Sequence, residues 1–139
     1  LPIGAYFFSQ ALNMDEADQE IEYMLGILGD YRLDMPIILD WEIPTSDART
    51  ANMDARTLTD IQLYFCEKMK GLGYQPMVYF NWHQSENLYY LSELEDFPFW
   101  LALYQDRMRY PWKVEMWQYT CTGRVPGINA DVDINVYMP

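Results

Sequence analysis

Short apolar runs alternate with longer segments of helical periodicity along most of this chain. Residues Ala5 to Ser9 form an apolar and aromatic run with polar flanks, which favours a buried strand. Asn13, followed three positions later by Glu16, is typical of a helix start. Apolar residues then recur every three or four positions from Ala17 to Leu28, and Gly29 ends the pattern. The chain therefore begins with a strand and an amphipathic helix.

The same alternation continues toward the C-terminus. The predicted elements are, in order, a strand at 36–44, a helix at 54–70, a strand at 77–81, a short helix containing Leu88, Leu91 and Leu94, and strands at 99–104, 114–120 and 132–137. No helix is predicted between the last three strands. This βαβαβαβ order followed by two strands predicts an α/β fold of parallel strands joined by right-handed crossover helices. An open doubly wound sheet and a barrel both satisfy it.

Composition and charge narrow the range of partners. Half of the 139 residues are hydrophobic, which is ample for the core of one domain spanning residues 1–139. Nine Lys and Arg residues against 21 Asp and Glu residues give a net charge of −12, which excludes a nucleic-acid binder. No apolar run reaches the about 20 residues of a membrane-spanning helix, so we expect no membrane partner. The sequence starts directly on a strand of buried type, as if within a domain.

Two carboxylates stand at the end of the second predicted strand. Alternation places Asp40 and Glu42 on one face of this strand, and its other face is wholly apolar. The carboxyl ends of parallel strands form the active-site rim in α/β folds. Residues two apart on a strand have Cα atoms about 6.5 Å apart, so both carboxylates can reach one substrate and separate each other's pKa values. The pair favours glycosidic-bond cleavage; the alternative is two solvated acids at a strand end.

A second acidic run lies in the last predicted strand. Asp131, Asp133 and Asn135 alternate with β-branched residues, so the three polar side chains share one face. The glycine and distal glutamate of a calcium loop are absent, and we expect neither a metal nor another cofactor. The preferred interpretation brings Asp133 to the same rim as Asp40 and Glu42, as a third catalytic carboxylate.

Aromatic residues supply the other candidate contacts. Pyranose rings stack on aromatic side chains, and their hydroxyl and amide groups hydrogen-bond to groups such as glutamine. Because 17% of the residues are aromatic and cannot all line one pocket, simple core packing is the alternative for each. The candidate substrate-binding residues, at or near strand ends, are Tyr6, Phe8, Tyr79, Tyr104, Trp117 and Gln118.

Six short motifs span nearly the whole chain: GAYFF at 4–8, ILDWE at 38–42, VYFN at 78–81, FWLALY at 99–104, WQYT at 117–120, and VPGI at 125–128 followed by VDIN at 132–135. In this order and spacing they resemble the muramidase-type lysozymes of glycoside hydrolase family 25. The resemblance implies an irregular (β/α) TIM-like barrel whose last three strands lack intervening helices. It also implies cleavage of the β-1,4 bond between N-acetylmuramic acid and N-acetylglucosamine in peptidoglycan.

The resemblance assigns roles to the three carboxylates. Glu42 matches the general acid, Asp133 matches a further pocket aspartate, and Asp40 matches the residue that steadies the substrate's acetamido group. The carbonyl oxygen of that group would act as nucleophile, in a substrate-assisted reaction. The implied partner is the peptidoglycan glycan strand. The implied location is extracellular or at the cell wall, as for a secreted bacterial protein or a phage lysin.

The sequence departs from the family pattern at its start. Family members begin with a strand bearing an Asp-x-Ser motif, a helix and a second strand, and these segments are not in this sequence. We therefore expect an incomplete barrel in which the strands of Tyr6 and Asp133 are unpaired edges, through which two copies associate. The alternative to an active lysozyme is a catalytically silent glycan-binding or association fragment.

Overall fold

The apolar runs of the sequence form the strands of one six-stranded sheet. A computed structural model describes residues 1–139. Its strands are β1 (Ala5–Ser9), β2 (Ile37–Trp41), β3 (Pro76–Asn81), β4 (Phe99–Ala102), β5 (Met116–Gly123) and β6 (Val132–Tyr137). Its helices are α1 (Met14–Leu28), α2 (Ala55–Gly71) and α3 (Trp82–Asn87), and a 3-10 turn covers Leu91–Glu93. None of these helices combines the length and the apolar character needed to cross a membrane.

The order of the strands in the sheet distinguishes the two predicted architectures. The strands lie in chain order from β1 to β6; the first five are parallel, and β6 is antiparallel to β5. A doubly wound sheet would need a reversal of strand order, which does not occur here. Right-handed crossovers between successive neighbours instead keep α1 and α2 on one face. The fold is an incomplete TIM-like barrel whose last three strands lack helices, as expected, and β1 and β6 are its open edges.

Each face of the sheet has its own apolar cluster. On the helix side, Ile37, Leu39 and Trp41 of β2 belong to a core that includes Ile21 of α1 and Phe65 of α2. Burying each such side chain contributes about 1.5–3 kcal/mol. The smaller cluster on the other, concave face consists of Ile38, Met77, Tyr79, Trp100 and Ala102. The predicted division of the second strand into two faces is therefore confirmed.

The helix starts follow the capping residues that the sequence contains. Asn13 Oδ1 accepts a hydrogen bond from Glu16 N at 2.9 Å, and α1 ends at Gly29, which has a φ of 53°. Asp54 Oδ1 accepts in the same way from Thr57 N at 2.9 Å and begins α2. Both predicted helices are confirmed.

The predicted helix on three leucines is wrong. Helix α3 forms earlier, on polar residues, because Asn81 and Gln84 make a capping box in which Asn81 Oδ1 accepts from Gln84 N at 3.0 Å. Leu91 and Leu94 instead anchor the 3-10 turn in the core. The second strand ends at Trp41, before Glu42, and the fourth ends two residues before Tyr104.

The hairpin of β5 and β6 is irregular. Its register shifts twice, between Gln118 and Thr120 and again between Thr120 and Gly123, so β5 contains two residues more than the facing part of β6. A Cβ at Gly123 would lie 2.8 Å from the backbone oxygen of Val132, which explains a glycine at this close approach. These register shifts determine which residues of β5 lie beside Asp133 of β6.

Candidate active site

A small cavity lies at the carboxyl ends of the strands, on the concave face of the sheet. Its volume is about 170 Å³. Every strand, or the residues directly after it, contributes to the lining: Tyr6, Asp40, Glu42, Tyr79, Trp100, Tyr104, Gln118 and Asp133. The structure thus brings together the three carboxylates predicted from the sequence and four of the six predicted substrate-binding residues. Parallel strands that end at one rim make the convergence of the residues of β1 to β5 predictable. Asp133 reaches the same rim because β6 is antiparallel to β5, so the start of β6 lies beside the end of β5.

Asp40 is the carboxyl group whose titration the site changes most. Burial, together with the negative charges of Glu42 and Asp133, raises the pKa of Asp40 to about 7. Its Oδ1 atom is buried and has no hydrogen-bond partner. In the free protein, Asp40 therefore holds a proton up to near-neutral pH.

Glu42 has a different environment because it lies just beyond β2. The Oη of Tyr79, on β3, donates a hydrogen bond to Glu42 Oε1 at 3.1 Å. Burial and the nearby charge of Glu42 raise the pKa of Tyr79 far above its usual range, so the phenol remains a donor. One oxygen of Glu42 is thus oriented by Tyr79.

Two buried glutamines hold the strand that carries the acid pair. The pairing of β2 with β3 ends at Leu39 and Val78. Gln84 Nε2 donates to the carbonyl oxygen of Trp41 at 2.6 Å, and Gln62 Nε2 donates to that of Leu39 at 2.9 Å. Sequence reasoning missed both glutamines; the only available signal was the Asn81-x-x-Gln84 spacing of a capping box.

The opposite wall is fixed by side chains of β4 to β6. Tyr104 Oη donates to Gln118 Oε1 at 2.7 Å, and Trp100 Nε1 donates to Asn135 Oδ1 at 2.8 Å. The rings of Trp100 and Tyr79 meet edge-to-face, with centroids 4.8 Å apart. Trp100 was also missed in the sequence analysis. It lies two residues before Ala102 on β4, so alternation places both side chains on the concave face of the sheet.

Two predicted substrate-binding residues lie outside this cavity. Phe8 shares a strand face with Tyr6 and pairs in register with Asp40, but it does not line the cavity. Trp117 lies on the helix side of β5, since alternation turns its neighbour Gln118 inward; its Nε1 donates to the carbonyl oxygen of Leu103 at 2.8 Å. The cavity contact predicted for each residue is therefore absent.

The carboxylates of the cavity do not form a metal site. No three or more His, Cys, Asp or Glu side chains are arranged to hold a metal ion. Asp131, which shares the acidic run with Asp133, forms an ion pair with Arg124 at 2.6 Å instead.

Strand order and a carboxylate-lined cavity at the C-terminal rim define a protein of the β/α-barrel class, with its candidate site in the usual place for that class. The chain belongs to glycosyl hydrolases family 25, whose sequence model matches residues 1–128. No curated protein is similar enough in sequence to count as a relative.

Solved structures share this fold. The CTP1L endolysin superposes with a TM-score of 0.78 at 24% identity, over 97% of this chain and 46% of its own. The autolysin LytC from Streptococcus pneumoniae superposes with a TM-score of 0.80 at 25% identity, over 98% of this chain and 34% of its own. The Cpl-1 endolysin complexed with a peptidoglycan analogue superposes with a TM-score of 0.71 at 23% identity, over 99% of this chain and 40% of its own. The chain thus spans less than half the length of these three proteins.

Proposed function

We propose that residues 1–139 form part of a catalytic domain that hydrolyses the β-1,4 bond between N-acetylmuramic acid and N-acetylglucosamine in peptidoglycan, as lysozymes do. The observation that carries the proposal is the convergence of Asp40, Glu42 and Asp133 on one small aromatic-walled cavity in a family 25 chain. Two structural neighbours are endolysins, one of them complexed with a peptidoglycan analogue, and a third is an autolysin. The proposed place of action is the cell wall, for a secreted bacterial protein or a phage lysin.

In the proposed reaction Asp40 and Glu42 have different roles. Burial and the charges of Glu42 and Asp133 raise the pKa of Asp40 to about 7 in the free protein. When the acetamido N–H of the substrate donates to Asp40, the ionised form of Asp40 is stabilised and releases its proton to solvent. Glu42 then protonates the leaving glycosidic oxygen, while Tyr79 holds its other oxygen.

Bond cleavage uses the substrate's own acetamido group. Its carbonyl oxygen attacks the anomeric carbon as the bond to the leaving sugar breaks, which gives a cyclic oxazolinium ion stabilised by the Asp40 carboxylate. Glu42, now ionised, takes a proton from the water that opens this ring. Asp133 adds negative charge opposite the developing positive charge, and aromatic side chains such as Tyr6 position the sugar.

The test compares Glu42→Gln with Glu22→Gln, which changes an exposed glutamate of α1. We expect Glu42→Gln to abolish the release of reducing ends from purified cell walls, because the amide has no proton to donate to the leaving oxygen. Glu22→Gln should keep the activity of the original chain. Cleavage by Glu42→Gln at the original rate would reject the assignment.

The open edges of the sheet favour a second candidate function. Because β1 has no partner on its outer side, Tyr6 is 63% exposed and the cavity opens to solvent beside it. Water that enters there weakens the electrostatic stabilisation on which catalysis depends. A catalytically silent glycan-binding fragment would bind muropeptides without generating new reducing ends, and the same assay combined with calorimetry separates the two functions.

A further inference from the structure

A second, larger cavity adjoins the cavity of the acid pair. Its volume is about 570 Å³, and it is lined by Tyr104, Gln105, Asp106, Trp117, Tyr119 and Val136. Tyr104 lines both cavities. Ligand pockets usually measure about 300–1,000 Å³, so the acid cavity alone is too small for several linked sugars. We call the second cavity the outer groove.

The aromatic rings of the outer groove are held in place without a ligand. Trp117 Nε1 is bound to the carbonyl oxygen of Leu103, and Tyr104 Oη is bound to Gln118 Oε1. The centroid of the Tyr119 ring lies 5.7 Å from that of Trp117, with the rings inclined by 59°. Rings that are ordered beforehand lose little conformational entropy when a ligand stacks on them.

These rings are accessible because no helix covers the end of the sheet. The connections after β4 and β5 contain no helix, so the helix-side face of β5 and β6 is partly open. Tyr119 is 38% exposed and Val136 is 40% exposed. Both belong to a surface that a crossover helix would cover if the chain formed one here.

The chemistry of the groove matches an uncharged sugar. Aromatic faces stack on the C–H faces of pyranose rings. Gln105 and Asp106, at the rim, offer hydrogen-bond acceptors to hydroxyl groups. Asp106 and the net charge of −12 disfavour an anionic ligand.

We propose that the outer groove binds the uncharged N-acetylhexosamine units of a glycan strand that continues from the acid cavity across Tyr104. The inference rests on the proposed function for the identity of the glycan. Trp117 and Tyr119 are the stacking residues, and Tyr104 separates the two cavities. The groove lengthens the segment of glycan that the protein binds.

The experiment measures binding without cleavage. Calorimetry in the Glu42→Gln background determines the affinities for a dimer and a pentamer of N-acetylglucosamine. We expect Tyr119→Ala to weaken pentamer binding about 3- to 10-fold, the loss of one stacking contact, and to leave dimer binding unchanged. Tyr31→Ala, at an exposed tyrosine outside both cavities, is the matched control and should change neither affinity.

A second variant, Val136→Glu, changes a lining residue on β6 and leaves every aromatic ring of the groove in place. It should also weaken pentamer binding. Circular dichroism verifies that each variant is folded. If folded Tyr119→Ala and Val136→Glu both bind the pentamer as tightly as the background protein, the groove proposal is overturned while the lysozyme proposal stands. If the background protein binds neither oligomer, the groove proposal is likewise overturned, whereas the lysozyme proposal is judged separately by the release of reducing ends from cell walls.

Discussion

The phenol of Tyr79 donates its hydrogen bond to Glu42 Oε1 over 3.1 Å, and so connects β3 to the residue that follows β2. A hydrogen bond to a charged group contributes about 1.5–3 kcal/mol. We therefore expect Tyr79→Phe to lower kcat roughly 10- to 100-fold, measured as reducing ends released from cell walls, while the protein stays folded. Tyr74→Phe, whose phenol lies outside the cavity, serves as control. Equal kcat values for the two variants would show that Tyr79 does not orient Glu42.

Asp40 makes stability depend on pH. Its pKa is about 7 in the folded protein, against an ordinary aspartate value of 3.8 in an unfolded chain, so the folded state binds the extra proton between these values. The contribution of this proton to the free energy of unfolding is fully present below pH about 4 and is lost as the pH rises through about 7. At about pH 8, Asp40→Asn should be more stable by about 1–2 kcal/mol, since partial exposure screens the charge.

Urea unfolding at about pH 5 and about pH 8 measures this difference. Asp30→Asn, at an exposed aspartate, should leave the pH dependence of the original chain unchanged. The prediction fails if Asp40→Asn loses as much stability between these two pH values as the original chain does.

The amide of Gln84 links the start of α3 to the end of β2. Its Oε1 accepts from Asn81 N at 2.8 Å, and its Nε2 donates to the carbonyl oxygen of Trp41 at 2.6 Å. Gln84→Met has a similar shape but leaves both buried backbone groups unpaired, so we expect a loss of about 2–4 kcal/mol in the free energy of unfolding. Gln19→Met, on the exposed side of α1, should change it by less than about 0.5 kcal/mol. A loss of less than about 0.5 kcal/mol for both variants would show that the hydrogen bonds of Gln84 do not stabilise the fold.

The unpaired edges of the sheet remain the basis of a prediction about association. Strands β1 and β6 each present backbone groups that no neighbouring strand satisfies. We expect the chain to form dimers at micromolar concentration, detected by sedimentation, and Tyr137→Lys on β6 to weaken them. Sedimentation as a monomer at every concentration would rule out pairing through these edges.

Alternation and chain order made most of this structure predictable. The two faces of β2 follow from the period of two between Ile38 and Asp40, and Asp133 reaches the same cavity because its strand ends the same sheet. The catalytic roles of these residues remain predictions. The choice between a barrel and a doubly wound sheet depended on strand order, which local periodicity does not encode.

The errors have local physical causes. Leu88, Leu91 and Leu94 have helical spacing, yet Asn81 and Gln84 begin the helix earlier, since two side-chain caps at once outweigh a short apolar stripe. Trp117 does not line the acid cavity because adjacent residues of a strand point to opposite faces and Gln118 faces that cavity; its role in substrate binding remains a prediction. Gln62 and Gln84 bind the backbone of β2 from distant segments; the capping-box spacing marks Gln84 as a helix start, but it does not reveal the contact with β2.

The two extra residues of β5 affect how this domain can vary between relatives. Asp133 shares its face of the sheet with Asn135, two residues away on β6, so a change of length in β5 does not turn it over. Deleting one extra residue of β5 would instead remove a bulge, and with it the local bend of the strand that faces Asp133. Among functional relatives, hairpin length should therefore vary less than the identity of its exposed residues.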